Sequence, residues 1–416
     1  MFFLRPTKER CIGMRRIALL LASTALAVLL AGGAALAAVE GTTITVNSKG
    51  DGTKSGNCTL REAIEAADTN TRVDRCKAGS SSERDAVHFS LGEKATITLG
   101  SQLPTITDPS RLTINGQKPK ITVSGNDAVR VFEVGQDAQL SIANLKVVRG
   151  RAEFGGGIFN FGTVTVRDSA FSGNSATMSG GGIDNRGTLK VTTSTFSHNS
   201  TNNPNGNNFG GGIVNDGVST VSKSTFSSNS SLQGGGISNF GELTVTNSTL
   251  SGNIAGAGGG IHQTSRATSL TVTNSTFSGN SADRGGAIFN QNGLPPFPNS
   301  PVTISSTIVA NSTSGDSCSG TITDSGYNID DGTTCGFSEA NDSLPSTEPK
   351  LADSLNNNGG PTKTIALRKG SPALNEIPKA SNGCGTEVKT DQRGAARPQG
   401  KKCDIGAFEK EVKRRR

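Results

Sequence analysis

Six times between residues 155 and 292 the chain writes nearly the same line, Gly-Gly-Gly-Ile-x-Asn, and follows it with alternating apolar and hydroxyl residues. The isoleucines of that line, Ile158, Ile183, Ile213, Ile237, Ile261 and Ile288, stand 24 to 30 positions apart. Self-similarity with a period of about 20 to 50 residues marks a stack of equivalent units, and it restricts the architecture more than any other feature of the chain.

Each unit has an internal pattern. Leu243-Thr244-Val245-Thr246 alternates with period two, as a strand with one buried face does. Val164/Val166, Leu189/Val191, Val221, Leu270/Val272 and Val302/Ile304 are its counterparts. A large apolar residue follows (Phe171, Phe196, Phe226, Leu250, Phe277), flanked by a serine column (Ser169, Ser194, Ser224, Ser248, Ser275) and an asparagine column (Asn174, Asn199, Asn229, Asn253, Asn280). A unit of about 24 residues accommodates three short strands with tight turns. Closing and stacking such units gives an all-β, right-handed parallel β-helix that rises about 4.8 Å per coil. Apolar columns then fill the interior, while Asn160, Asn185, Asn215 and Asn239 stack as a hydrogen-bonded ladder. Less regular pairs such as Ile97/Leu99, Leu112/Ile114 and Leu140/Ile142 extend the body to 87–335. With around ten coils it makes a rod on the order of 50 Å long. A propeller blade needs a longer repeat, and the calcium-binding nonapeptide roll needs a recurring Asp that is missing here.

The ends read differently. Arg5, Lys8, Arg10, Arg15 and Arg16, an apolar run over 17–30 and Ala35-Leu36-Ala37 have the order of a secretory signal over 1–37, with Met14 an alternative start. The formal charge of +7 includes +4 from those residues and +4 from the basic tail at 410–416, so the remainder nets about −1. With no Trp and one Tyr as well, the composition argues against a nucleic-acid partner. No apolar run after the signal is long enough to span a bilayer. Cys11 lies in the signal, and the other six cysteines fall into neighbouring pairs, Cys58/Cys76, Cys318/Cys335 and Cys384/Cys403. This is one of fifteen connectivities, in keeping with an oxidising compartment. Each bridge would contribute on the order of 3 kcal/mol by chain entropy. No Cys-x-x-Cys occurs and there are three histidines, so neither a metal site nor a cofactor is expected.

The segment Cys58-Thr59-Leu60-Arg61-Glu62-Ala63-Ile64 sits in a cap expected over 38–86, and Thr59 with Glu62 forms a capping box ahead of a short helix. It resembles the Cys-Ser-Leu-Arg-Glu-Ala motif that opens a family of bacterial exported β-helix proteins. The stretch from Asn357-Asn358-Gly359-Gly360-Pro361-Thr362 through Asp391-Gln392-Arg393-Gly394 to Cys403-Asp404-Ile405-Gly406-Ala407-Phe408-Glu409 resembles the choice-of-anchor Q module, expected as an irregular C-terminal cap over 336–409. Gly285-Gly286-Ala287-Ile288 and Phe277-Ser278-Gly279-Asn280 are similar to the repeats of chlamydial polymorphic membrane proteins, which are surface adhesins. These resemblances imply a pectin-lyase-like solenoid that is secreted or held at the bacterial envelope, acts as a monomer, and meets a glycan, host matrix or envelope component. Neither a sorting signal nor an autotransporter barrel follows Glu409, so release or non-covalent retention is expected.

Polysaccharide lyases and glycoside hydrolases also use this fold, and they need converging carboxylates. Asp168, Asp184, Asp216, Glu242 and Asp283 are scattered over different columns, so no catalytic residue is assigned. Asp184 and His262 share one column three coils apart and are the two surface-site candidates. Phe171, Phe196, Phe226 and Phe277 belong to the core column, and Phe159, Phe161, Phe240, Phe289 and Phe297 are the phenylalanines expected to be exposed, which leaves no aromatic platform for sugars. Thr163/Thr165, Thr244/Thr246 and Thr271/Thr273 form an outward array like an ice-binding face, interrupted by Lys190 and Ser222. Asp391, Arg393, Arg397 and Asp404 form the densest charged group and are expected to be an ion-pair lattice in the distal cap. A non-enzymatic rod presenting a polar surface is the leading expectation.

Overall fold

A computed structural model describes residues 40–411, apart from 54–55, 118–120, 204–205, 207 and 292–299. The signal segment with Cys11, Phe297 and the last five residues of the basic tail lie outside the described residues.

Each regular coil runs through three strands in turn, such as Ile158–Asn160, Thr163–Arg167 and Ala170–Ser172. Every one of these pairs in parallel with its equivalent one coil away. The stacking produces three sheets: an eight-stranded isoleucine sheet, an eleven-stranded hydroxyl sheet and a ten-stranded phenylalanine sheet. The chain is thus an all-β parallel β-helix. A short fourth stack, beginning with Arg151–Phe154, Ser175–Ser179 and Ser200–Thr201, lies between the phenylalanine sheet and the next glycine triplet.

The expected columns are in register. Phe171, Phe196 and Phe226 are fully buried, and their rings stack at 4.9 and 4.7 Å with planes 6° and 3° apart. Strand spacing imposes this near-sandwich, which ring quadrupoles alone do not favour. Burial outweighs that preference, and the column continues as Leu250, Phe277 and Val309.

Polar columns hold the coils together. Asn160 Nδ2 donates to Asn185 Oδ1 at 2.6 Å, and the ladder continues through Asn215 and Asn239 to Gln263. A second ladder joins Asn174, Asn199, Asn229, Asn253 and Asn280 at 2.9 to 3.0 Å. Each acceptor in it also takes the backbone N–H of the asparagine one coil earlier. The serine hydroxyls accept from the backbone N–H of the serine in the preceding coil and donate to the carbonyl two residues back. The left-handed corner dihedrals belong to other residues, among them Asp168, Lys223, Asn247 and Asn274, with φ between 47° and 50°.

The glycine triplet has two separate reasons. Gly180 has φ +65°, which favours glycine. Gly181 has no such dihedral, but a β-carbon there would lie 2.4 Å from the Ser200 carbonyl oxygen.

Both ends depart from the simple expectation. The strand Glu40–Val46 pairs with Arg84–Phe89 as the first of the hydroxyl sheet, so the solenoid starts upstream of the helix rather than near residue 87. The helix Leu60–Thr69 has the Thr59/Glu62 capping box and buries Leu60, Ala63, Ile64 and Ala67. Those residues join the core cluster that holds Ile44 and Val87. All three neighbouring disulfides are formed: Cys58–Cys76, Cys318–Cys335 and Cys384–Cys403.

At the other end, Cys318, Cys335 and Phe337 close the core. The chain beyond does not remain there as a distal cap. It turns back and lies along the flank of the phenylalanine sheet as a strap. Thr225 donates to the Lys363 carbonyl (2.7 Å), Thr249 to Gln392 Oε1 (2.6 Å), and Thr276 Oγ1 accepts from Ala407 N (3.0 Å). Leu351, Ile365, Leu367, Ile377, Ile405 and Phe408 form a second apolar cluster with Ile308 and Ile329.

Asn229→Ala would orphan the Asn199 N–H, leave the Asn199 side-chain amide with the Phe171 carbonyl alone, and remove the side-chain donor to the Phe196 carbonyl. It is expected to lower the unfolding free energy by on the order of 3 kcal/mol, read as a lower urea midpoint. An unchanged midpoint would remove the ladder from the account of stability.

Candidate functional site

The central residue of each isoleucine-sheet strand varies, and these residues stack in one column: Glu133, Phe159, Asp184, Val214, Ser238, His262, Phe289. Asp184 and His262 were expected at the surface. Both are 0 % exposed, because the segment before each glycine triplet folds over this column. The Ser179 hydroxyl bonds Asp184 from that segment, and a β-carbon on Gly210 would meet the Val214 side chain at 2.6 Å. The two candidates remain three coils apart, about 14 Å at the strand spacing, and do not form one site.

Each is instead a buried titratable group. Burial pushes the Asp184 carboxyl up to about 6, against the lowering effects of the Ser179 hydroxyl and of Arg186, whose Nε lies 3.4 Å away. Burial brings His262 down to about 4. Its Nδ1 lies 3.3 Å from the Ser238 hydroxyl, and its ring stacks on Phe289 at 5.4 Å.

Sequence reasoning did not single out Arg186 or Phe154. The Arg186 guanidinium lies over three phenyl rings, 4.9 Å from Phe154, 4.7 Å from Phe159 and 5.5 Å from Phe161. Arg130 lies 4.9 Å from the Phe159 centroid, pairs with Glu133, and donates to the Phe154 carbonyl at 3.2 Å. Phe159 is largely covered, whereas Phe161 is 39 % exposed. The available signal was positional: Phe161 and Arg186 both follow the asparagine that ends the repeated line.

The hydroxyl sheet carries a continuous outward row. Thr113, Ser141, Thr165, Lys190, Thr220, Thr244, Thr271, Thr303 and Thr323 pair in register strand after strand. The threonine array is therefore a real row, but Lys190 is exposed within it and Val218 and Glu242 are exposed beside it.

The C-terminal charged group is inside the strap. Arg393 pairs with Asp391 at 2.8 Å and lies over the Phe408 ring at 3.8 Å. Arg397 pairs at 2.9 Å with Glu409, a partner that spacing alone did not suggest, and donates to Asn274 Oδ1 and the Gly406 carbonyl. Asp404 accepts from the backbone N–H groups of Asn375 and Lys410, both at 2.7 Å. Burial raises the pKa values of Asp404 and Glu409, and the nearby Arg397 charge opposes it. These contacts fasten strap to rod. A groove of about 590 Å³ opens where the strap crosses the coils, lined by Ser251, Ser278, Asn311, Lys350, Asp353 and Arg368. Among the described residues, no three His, Cys, Asp or Glu side chains converge as a metal-holding group, and no helix is long and apolar enough to cross a membrane.

Two short stretches, 168–186 and 274–291, match the Chlamydia polymorphic membrane protein repeat. Each contains the turn into a phenylalanine-sheet strand and a copy of the glycine line. No curated protein matches the chain. Among solved structures, the crystal structure of pectate lyase Pel9A aligns at 15 % identity with a TM-score of 0.38, covering 89 % of this chain and 96 % of that one. The protein is a β-helix repeat protein.

The two buried groups should tilt stability in opposite directions. Asp184 holds its proton more tightly folded than unfolded, so its contribution is lost as pH rises from about 4 to 6. His262 holds its proton less tightly when folded, so its contribution is lost as pH falls from about 6.5 to 4. Asp184→Asn is expected to raise stability at pH 7 by on the order of 2 kcal/mol. His262→Phe is expected to improve survival at pH 4. Urea midpoints across that range check both, and parallel slopes for the two variants and the parent would contradict the assignment.

Proposed function

We propose that this chain is an exported, surface-associated rod that acts by presenting an extended face to a partner. The observation that carries this reading is the hydroxyl-sheet row, which remains in register from Thr113 to Thr323 on a rigid support. Long regular stacks make binding surfaces without a deep pocket. The polymorphic membrane protein repeat supports a place at a bacterial surface, and three disulfides support an oxidising compartment. The resemblance of 58–64 and 357–409 to exported β-helix proteins supports secretion. The partner class is a glycan, host matrix or envelope component, met by a monomer and without turnover.

Purified full chain is expected to bind immobilised glycans, matrix protein or bacterial envelope in a saturable manner, and to leave pectate, alginate and hyaluronan uncut. Release of unsaturated oligosaccharides from any of the three, with no saturable binding to the immobilised partners, would overturn the proposal.

A further inference from the structure

The varying column of the isoleucine sheet is buried from Phe159 to His262, but the residues just beyond Asn160, Asn185, Asn215 and Asn239 are not. The backbone N–H groups of Arg186, Asp216 and Phe240 donate to the carbonyls of Asn160, Asn185 and Asn215 at 2.7 to 2.8 Å. Phe161, Arg186, Asp216 and Phe240 therefore stand in file along the corner between the isoleucine and hydroxyl sheets, one per coil. Phe161, Arg186 and Asp216 are exposed, and Phe240 is half-buried against Phe209, whose ring meets it edge-on at 5.1 Å. The two ends of the file are phenyl rings three coils apart, about 14 Å. Between them lie a guanidinium and a carboxylate on adjacent coils.

The arrangement is held rigidly. Arg186 is fixed by its aromatic neighbours and by Asp184, and among the described residues its two terminal nitrogens donate to no other side chain. Val218, 46 % exposed, adds an apolar contact two residues past Asp216. A pyranose has an apolar face of C–H groups and a rim of hydroxyls. Phenyl rings take the first, while a guanidinium that donates and a carboxylate that accepts take neighbouring hydroxyls. The opposite charges of Arg186 and Asp216 balance, which disfavours a chain bearing a carboxylate on every sugar.

We infer that this corner is the docking strip for a short, neutral pyranose oligosaccharide. The inference rests on the surface-presentation reading and names its ligand class. The test uses the intact chain with cellotriose, chitotriose and mannotriose as neutral probes, and trigalacturonate as the acidic one. Saturation transfer to ring C–H protons is expected for at least one neutral trisaccharide. Phe161→Ala and Asp216→Ala should each weaken its binding by about ten-fold with the melting temperature unchanged. Phe240→Ala repeats the test at the other end of the file, and Lys350→Ala in the strap groove should leave affinity as it was. Binding of trigalacturonate alone, or loss on Lys350→Ala with the corner variants intact, would overturn the strip. A chain that adheres to matrix or envelope yet binds none of the trisaccharides would overturn it too, leaving the presentation reading standing. A chain that adheres to nothing would remove both.

Discussion

Everything in this molecule depends on hydrogen bonds that pass from one coil to the next at the strand spacing. Backbone ladders supply most of them, as in any parallel sheet. The interior also contains two files of asparagine and one of serine, fully buried, where an unpartnered amide or hydroxyl would be costly. Within the Asn174 file, Asn199, Asn229 and Asn253 each accept two donors from the asparagine one coil earlier and give their own amide to the next coil and to a carbonyl. Such a residue is useful only if the same residue stands one coil away. The repeated letters of the sequence follow from this requirement, and so does the intolerance of the second glycine for a β-carbon.

That requirement also explains what could be read beforehand. A periodic constraint leaves a periodic sequence, so the solenoid, its apolar columns and the Asn160 ladder were legible from spacing. The disulfides were legible because each joins cysteines 17 to 19 positions apart, two at the ends of the rod and Cys384–Cys403 within the strap. The strap was not. Its contacts link residues well over a hundred positions apart, such as Thr225 with Lys363 and Asn274 with Arg397, and each is made once. A contact without repetition leaves no period to detect.

The misplacement of Asp184 and His262 has a related cause. Period two in a strand assigns them to the outward side, and that assignment holds: Ile183 and Asn185 point inward on either side of Asp184. Outward is not the same as solvent-exposed, however. The fourth stack varies most between copies, so its role as a cover over the isoleucine sheet had no clear signature. A buried carboxyl and a buried imidazole are the result, both shifted by desolvation toward their neutral forms.

Cover, rather than fold, therefore decides where a partner can touch the rod. The fourth stack and the segments that continue it cover the isoleucine sheet from Phe159 to His262, and the strap closes off the phenylalanine sheet from Thr225 to Ile308. Thr195, one coil before the strap begins, is still partly open, whereas Thr225, Thr249 and Thr276 are buried beneath it. The hydroxyl sheet has no such cover among the described residues. Its surface is broad, nearly neutral and stiffened by the ladders behind it, so contacts there lose little conformational freedom on binding. At its edge with the isoleucine sheet the uniform hydroxyl row gives way to rings and opposite charges. Specificity requires such departures from the repeat, since a row that is the same at every coil cannot fix a ligand's register along it.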